Sequence, residues 1–143
     1  MLKKIVLFIS FLISCSCVKD NLPENCIRPA SFSIVRSFDN PDFNAILTVG
    51  SVEINGGYKG ILLLNAGLDR FLAYDKICPV NDCNSPMVYD EINRPNILKC
   101  ACDESEYGLG VGIGGQPQTA GFVCPAVEYN AVKIGNSIRI SNF

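Results

Sequence analysis

An all-β fold is what this sequence predicts, on three observations. Short runs rich in β-branched and aromatic residues recur from Phe32 onward. Turn-forming clusters separate several of them, and nothing past the N-terminal stretch sustains an amphipathic helical period. Near the C-terminus, Gly135-Asn136 stands between two alternating runs as a two-residue hairpin signal.

The predicted strands follow in order. Ser33-Ile34-Val35-Arg36, Ala45-Ile46-Leu47-Thr48-Val49, Ser51-Val52-Glu53-Ile54, Gly60-Ile61-Leu62-Leu63-Leu64 and Arg70-Phe71-Leu72-Ala73-Tyr74 are β-rich. Asn55-Gly56-Gly57, Asn65-Ala66-Gly67 and Asn93-Arg94-Pro95-Asn96 carry turn chemistry. The hairpin arms are Val127 to Ile134 and Ser137 to Ile140. Periodicity predicts β structure and leaves the particular β fold open.

Length and composition bound the function. The chain has 143 residues, enough for one domain with a real core, and 48% of them are apolar, so it folds rather than staying disordered. There are 12 basic against 14 acidic side chains, with no basic run outside the extreme N-terminus, so nucleic acid has no electrostatic footprint to bind. There is no histidine, which excludes histidine-based acid–base or triad chemistry. Carboxylates such as Asp75, Asp82 and Glu104 are scattered, and nothing in the sequence pairs them.

The first residues read as an export signal. Lys3-Lys4 is a basic head, and Ile5 to Ile13 is apolar but too short for a permanent membrane span. Leu12-Ile13-Ser14-Cys15 then resembles a bacterial lipobox, in which cleavage precedes a cysteine that takes up diacylglycerol and palmitate-like acyl chains. Cys17 would compete, but Ser14 stands where the motif favours an apolar residue. The predicted division is a leader over 1–14, a lipidated N-terminus and polar tether over 15–31, and a β domain over 32–143. Loss of the leader shifts the charge balance to 10 against 14. Ser16 after the lipidated cysteine lacks the inner-membrane retention aspartate, so the resemblance implies a lipid anchor in the outer membrane, with the periplasmic or surface side open. Lys19-Asp20 is only faintly like a surface-export signal.

Four of the eight cysteines carry the sharpest pattern. Cys78-Pro79-Val80-Asn81-Asp82-Cys83 is followed by Cys100-Ala101-Cys102-Asp103-Glu104-Ser105-Glu106-Tyr107. The layout resembles the two cluster-binding loops of Rieske iron–sulfur proteins, C-x-H-x-x-C and C-x-C-H-x-S-x-Y. Gly57 to Leu64 and Phe71 to Pro79 look like the strands entering the first loop, and Phe122 to Tyr129 is similar to the segment after the second. The family's G-P-A element is degraded to Ala120-Gly121-Phe122. The resemblance implies stacked antiparallel sheets with a two-loop cluster subregion.

In that family, cysteines at the positions of Cys78 and Cys100 hold one iron of a [2Fe–2S] centre, and two histidines hold the other. Here the histidine positions are Val80 and Asp103, so the resemblance implies a degenerate site, with no cofactor expected. Cysteines matching Cys83 and Cys102 form a disulfide in respiratory relatives, and export favours its persistence. Closing a loop of roughly 20 residues contributes about 3 kcal/mol in the chain-entropy model. Cys78 and Cys100 are left as a second bridge or as thiols. Cys26 and Cys124 are unassigned, with mutual pairing open, and Cys17 is the odd cysteine once Cys15 is acylated. The alternative is a four-cysteine site of Cys78, Cys83, Cys100 and Cys102 for zinc or iron.

Ser105 and Tyr107 stand where hydroxyls tune the cluster in high-potential relatives; the plainer role is a capped turn with a packed ring. Gly108 to Gly115 contains G-x-G-x-x-G, but Pro117 stands where a nucleotide-site helix would begin, so a mobile hairpin loop is expected. The functional expectation is a lipid-anchored envelope module without catalysis, structural or interacting with an envelope protein. The competing expectations are an atypically ligated [2Fe–2S] electron carrier, a redox accessory subunit at most, and a zinc module.

Overall fold

The computed structural model describes residues 22–48, 50–80 and 83–143. The predicted leader, Cys15, Cys17, Lys19-Asp20 and Asp82 lie outside the described residues. Among the described residues, nine strands form two antiparallel sheets. They are β1 Ser33–Ser37, β2 Ser51–Ile54, β3 Ile61–Asn65, β4 Phe71–Asp75, β5 Val88–Asp90, β6 Arg94–Lys99, β7 Glu106–Gly108, β8 Glu128–Ile134 and β9 Ser137–Ser141. The larger sheet runs β1-β9-β8-β4-β3-β2, and the smaller runs β5-β6-β7. The expected all-β class holds.

The hairpin β8–β9 turns on Gly135-Asn136, with Gly135 at φ 58° and Ile134 opposite Ser137. That left-handed residue suits the twist of a two-residue hairpin. Strand β8 joins β4 through only two pairs, Ala73 with Tyr129 and Tyr74 with Glu128, and then pairs with β9 from Asn130 onward. The large sheet thus has two halves meeting along a short seam.

Strands β3 and β4 are apolar on both faces because a core lies on each side. Ile61, Leu63, Phe71 and Ala73 point into one cluster with Phe43, Ile46, Val127, Ile138 and Ile140. Leu62 and Tyr74 point the other way, into a second cluster under the small sheet with Met87, Leu98, Leu109 and three of the loop cysteines. The period of two along each strand assigns alternate residues to the two cores.

Two local readings are corrected. Ala45 to Leu47 belongs to a 3₁₀ helix, Pro41–Leu47, and not to a strand. Asn40 Oδ1 accepts from the Asp42 N–H at 3.1 Å and Pro41 opens the turn, which starts the helix. Phe43 and Ile46 then reach the first core from one face, and Asn65 Nδ2 donates to the Ile46 carbonyl at 2.7 Å. Second, Arg94 to Asn96 begins β6 instead of forming a free turn. Pro95 is accommodated there because the β5–β6 register shifts between Tyr89 and Asp90, leaving its missing N–H outside the regular ladder.

One buried carboxylate ties these parts together. Asp75, the last residue of β4, is fully buried. It accepts from the Tyr58 N–H at 2.6 Å, the Lys59 N–H at 3.1 Å, the Ile77 N–H at 3.0 Å and the Tyr129 hydroxyl at 3.1 Å. An isosteric amide can accept on one side only, and its NH₂ would face donors on the other. Asp75→Asn is therefore expected to lower unfolding free energy by about 3 kcal/mol, read from urea denaturation at matched slope. A loss smaller than about 1 kcal/mol would remove the carboxylate from this central role.

Candidate functional site

The two cysteine loops meet at one end of the second core. The first leaves β4 through Lys76 and Ile77. Its base is closed by the Lys76 N–H donating to the Gly60 carbonyl at 2.8 Å and the Met87 N–H to the Lys76 carbonyl at 2.6 Å. The second joins β6 to β7, with the Cys100 N–H donating to the Ser105 carbonyl at 2.8 Å. Glu104 sits at φ 61° inside this tight turn.

Among the described residues, three disulfides are present. Cys78 is bonded to Cys100 and Cys83 to Cys102, so both bonds cross from one loop to the other. Cys26 is bonded to Cys124 across 98 positions of sequence. Cys78, Cys83 and Cys100 are buried, whereas Cys102 is exposed. The sulfurs of Cys78, Cys83 and Cys100 all lie within 4.8 Å of one another. The Cys102 sulfur is bonded to Cys83 but lies outside that compact group.

Val80 and Asp103 have structural surroundings of their own. The backbone of Val80 forms an isolated antiparallel bridge with Cys26, and the Ile27 N–H donates to the Pro79 carbonyl at 3.0 Å. The end of the expected tether therefore lies against the first loop through this backbone bridge, and Cys26 is bonded to Cys124. Asp103 is exposed, and its Oδ1 accepts from the Ser105 N–H at 2.9 Å and the Ser105 hydroxyl at 2.6 Å. The Ser105 oxygen lies 2.9 Å from the Tyr107 hydroxyl. Serine has one proton, committed to the carboxylate, so Tyr107 donates to Ser105. Both hydroxyl-bearing residues are buried.

A [2Fe–2S] centre does not fit these residues. The chain has no imidazole, valine offers no lone pair, and the Asp103 carboxylate is engaged within its own turn. The two cysteines that would bind one iron share a covalent bond. What the arrangement can do is hold two loops together and exchange disulfides.

The glycine-rich segment packs beside this site. The Gly115 carbonyl accepts from the Ala126 N–H at 2.8 Å, and a Cβ on Gly115 would lie 2.9 Å from the Ala126 Cβ. No helix follows it, so the helix that a dinucleotide site needs is missing. The buried Tyr74 hydroxyl makes no hydrogen bond of normal geometry among the described residues, although the Gly110 and Gly115 backbone and the Glu128 carboxylate surround it.

No family model and no curated protein matches the chain. Among solved structures it is similar to the ferredoxin of carbazole 1,9a-dioxygenase from Nocardioides aromaticivorans IC177, at 13% identity and a TM-score of 0.45, over 82% of this chain and 100% of that one.

Sequence reasoning missed the reach of Asp75, whose four donors come from three separate segments and leave no local motif. Pairing of Cys26 with Cys124 was also open, because an even count of cysteines does not specify connectivity.

Burial, with the Glu128 charge as second cause, pushes the Tyr74 phenol up to about 12. The neutral phenol is thus favoured in the folded state. Its contribution is intact below the ordinary value near 10 and is lost as pH rises through about 12. Unfolding free energy should fall across that alkaline window, and Tyr74→Phe should flatten part of the fall. An unchanged slope in the variant would show that Tyr74 does not contribute to it.

Proposed function

We propose that this chain is a lipid-anchored cell-envelope protein whose β domain is a Rieske-like scaffold with disulfides in place of an iron–sulfur centre. Its role is structural or protein-interacting rather than catalytic. The observation that carries the reading is the Cys78–Cys100 bond, which joins the pair that would hold an iron, beside Val80 and Asp103 at the histidine positions. A second reading is favoured by the three sulfurs within 4.8 Å: a thiolate site for zinc or iron in the reduced protein.

Protein taken from an oxidising envelope compartment should contain negligible iron, acid-labile sulfide and zinc, and no visible absorption. Stoichiometric iron with an electron-paramagnetic signal after reduction would replace the proposal with an atypically ligated electron carrier. Zinc in equal amount with the protein would promote the thiolate site.

The anchor is tested separately. Leu12-Ile13-Ser14-Cys15 ends the apolar run, so Cys15→Ser should abolish fatty-acid labelling and leave the protein unprocessed or released from membranes. Labelling that persists in this variant would move the anchor to Cys17 or remove it.

A further inference from the structure

The two cross-loop disulfides differ in one respect that matters chemically. The Cys83–Cys102 bond has an exposed end at Cys102, while both residues of the Cys78–Cys100 bond are buried, at 2% and 0% exposure. An external thiolate can therefore reach the first bond and not the second. Cys83, the inner end of the reachable bond, has its sulfur within 4.8 Å of both Cys78 and Cys100. Exchange requires a thiolate near a disulfide sulfur and access to it, and Cys83 supplies both once it is released.

We propose that the four loop cysteines form a two-disulfide relay, taking reducing equivalents from an external dithiol at Cys102 and delivering them to the buried Cys78–Cys100 bond. One thiolate of the dithiol attacks the Cys102 sulfur; a mixed disulfide forms and Cys83 leaves as thiolate. The second thiol of the donor attacks the mixed disulfide, giving oxidised donor and a free Cys102. Cys83 then attacks Cys78 or Cys100, joins it, and expels the other as thiolate. Finally Cys102 attacks Cys83, restoring the Cys83–Cys102 bond and expelling the second buried thiolate. The balance is one dithiol oxidised to its disulfide and one buried disulfide reduced to two thiols. The donor is identified by chemistry as a dithiol; dithiothreitol stands in for it.

This inference stands on the bonds and burial alone and is independent of the Rieske-like reading. The test uses the exported full-length protein in detergent, treated with limiting dithiothreitol, acid-quenched, alkylated and peptide-mapped. Cys78 and Cys100 should be alkylated well before Cys26 and Cys124, whose bond is also buried, slightly less so at Cys26, but lies outside the compact sulfur group. In the paired variant Cys83→Ser with Cys102→Ser, opening of Cys78–Cys100 should slow by at least about tenfold, since access governs the rate. Unchanged opening in that variant, or joint opening of the two buried bonds in the unaltered protein, would overturn the relay. Should the paired variant fail to fold, Cys102→Ser alone decides the matter: Cys83 should be found bonded to Cys78 or Cys100 in part of the molecules. Cys83 recovered only as a free thiol beside an intact Cys78–Cys100 bond would overturn it too.

Discussion

Three parts of the large sheet and its connections converge on the Asp75 carboxylate. A buried charge is tolerated only when its lone pairs are fully used, and here four donors use them. The donors come from the β2–β3 turn, the start of the first cysteine loop and strand β8, so one side chain aligns three segments distant in sequence. Gly57 makes the approach possible. It adopts φ +60°, and a Cβ there would lie 2.2 Å from Asp75 Oδ2. Burial and the adjacent Asp75 charge together raise the Tyr129 phenol, which keeps its proton for this hydrogen bond. Because Ile77 is one of the donors, the geometry of Asp75 also aims Cys78 into the second core.

The cysteine site continues that core. Cys78, Cys83 and Cys100 pack with Leu62, Tyr74, Met87, Leu98 and Tyr107, so their sulfurs act as apolar filling as well as covalent ties. The small sheet has three strands, two of them only three residues long. It is fixed by what lies beneath it and by the two bonds that connect its β6–β7 loop to the loop after β4. The Cys26–Cys124 bond adds a tie of another kind, across almost the whole domain. In the chain-entropy model a closure of that length is worth about 4 to 5 kcal/mol. The residues just after the N-terminal stretch lie against the first loop, where the Val80 bridge and the Pro79 carbonyl receive them.

How much of this was legible follows from how local each signal is. Strands β1, β2, β3, β4, β8 and β9 were readable because alternation or a buried apolar run is written within each segment. The 3₁₀ helix was not. Its β-branched tail reads as a strand, and it is the Asn40 cap and the fit of Phe43 and Ile46 into the core that decide otherwise. Strands β5 and β7 are three residues each, too short for any period, and β6 begins inside a turn-like tetrapeptide. In the site, the cysteine motif and its resemblance pointed to Cys83 and Cys102 as partners. The roles of Asp75 and Gly57 depend on backbone groups brought from elsewhere, which no spacing rule encodes.

The second loop carries a pair of buried hydroxyls, on Ser105 and Tyr107. By the sequence resemblance alone, Ser105 and Tyr107 would be expected to hydrogen-bond toward cluster sulfur. The geometry supplies a different use. Asp103 presents a carboxylate oxygen to the Ser105 N–H and hydroxyl, and Tyr107 donates to the Ser105 hydroxyl oxygen. Buried hydroxyls must be satisfied, and this chain of donors and acceptors leads them out to an exposed carboxylate. With the Cys100 N–H bonded to the Ser105 carbonyl, the loop is closed from inside by its own groups. Asp103 therefore caps the turn that holds Cys100 and Cys102 toward their partners.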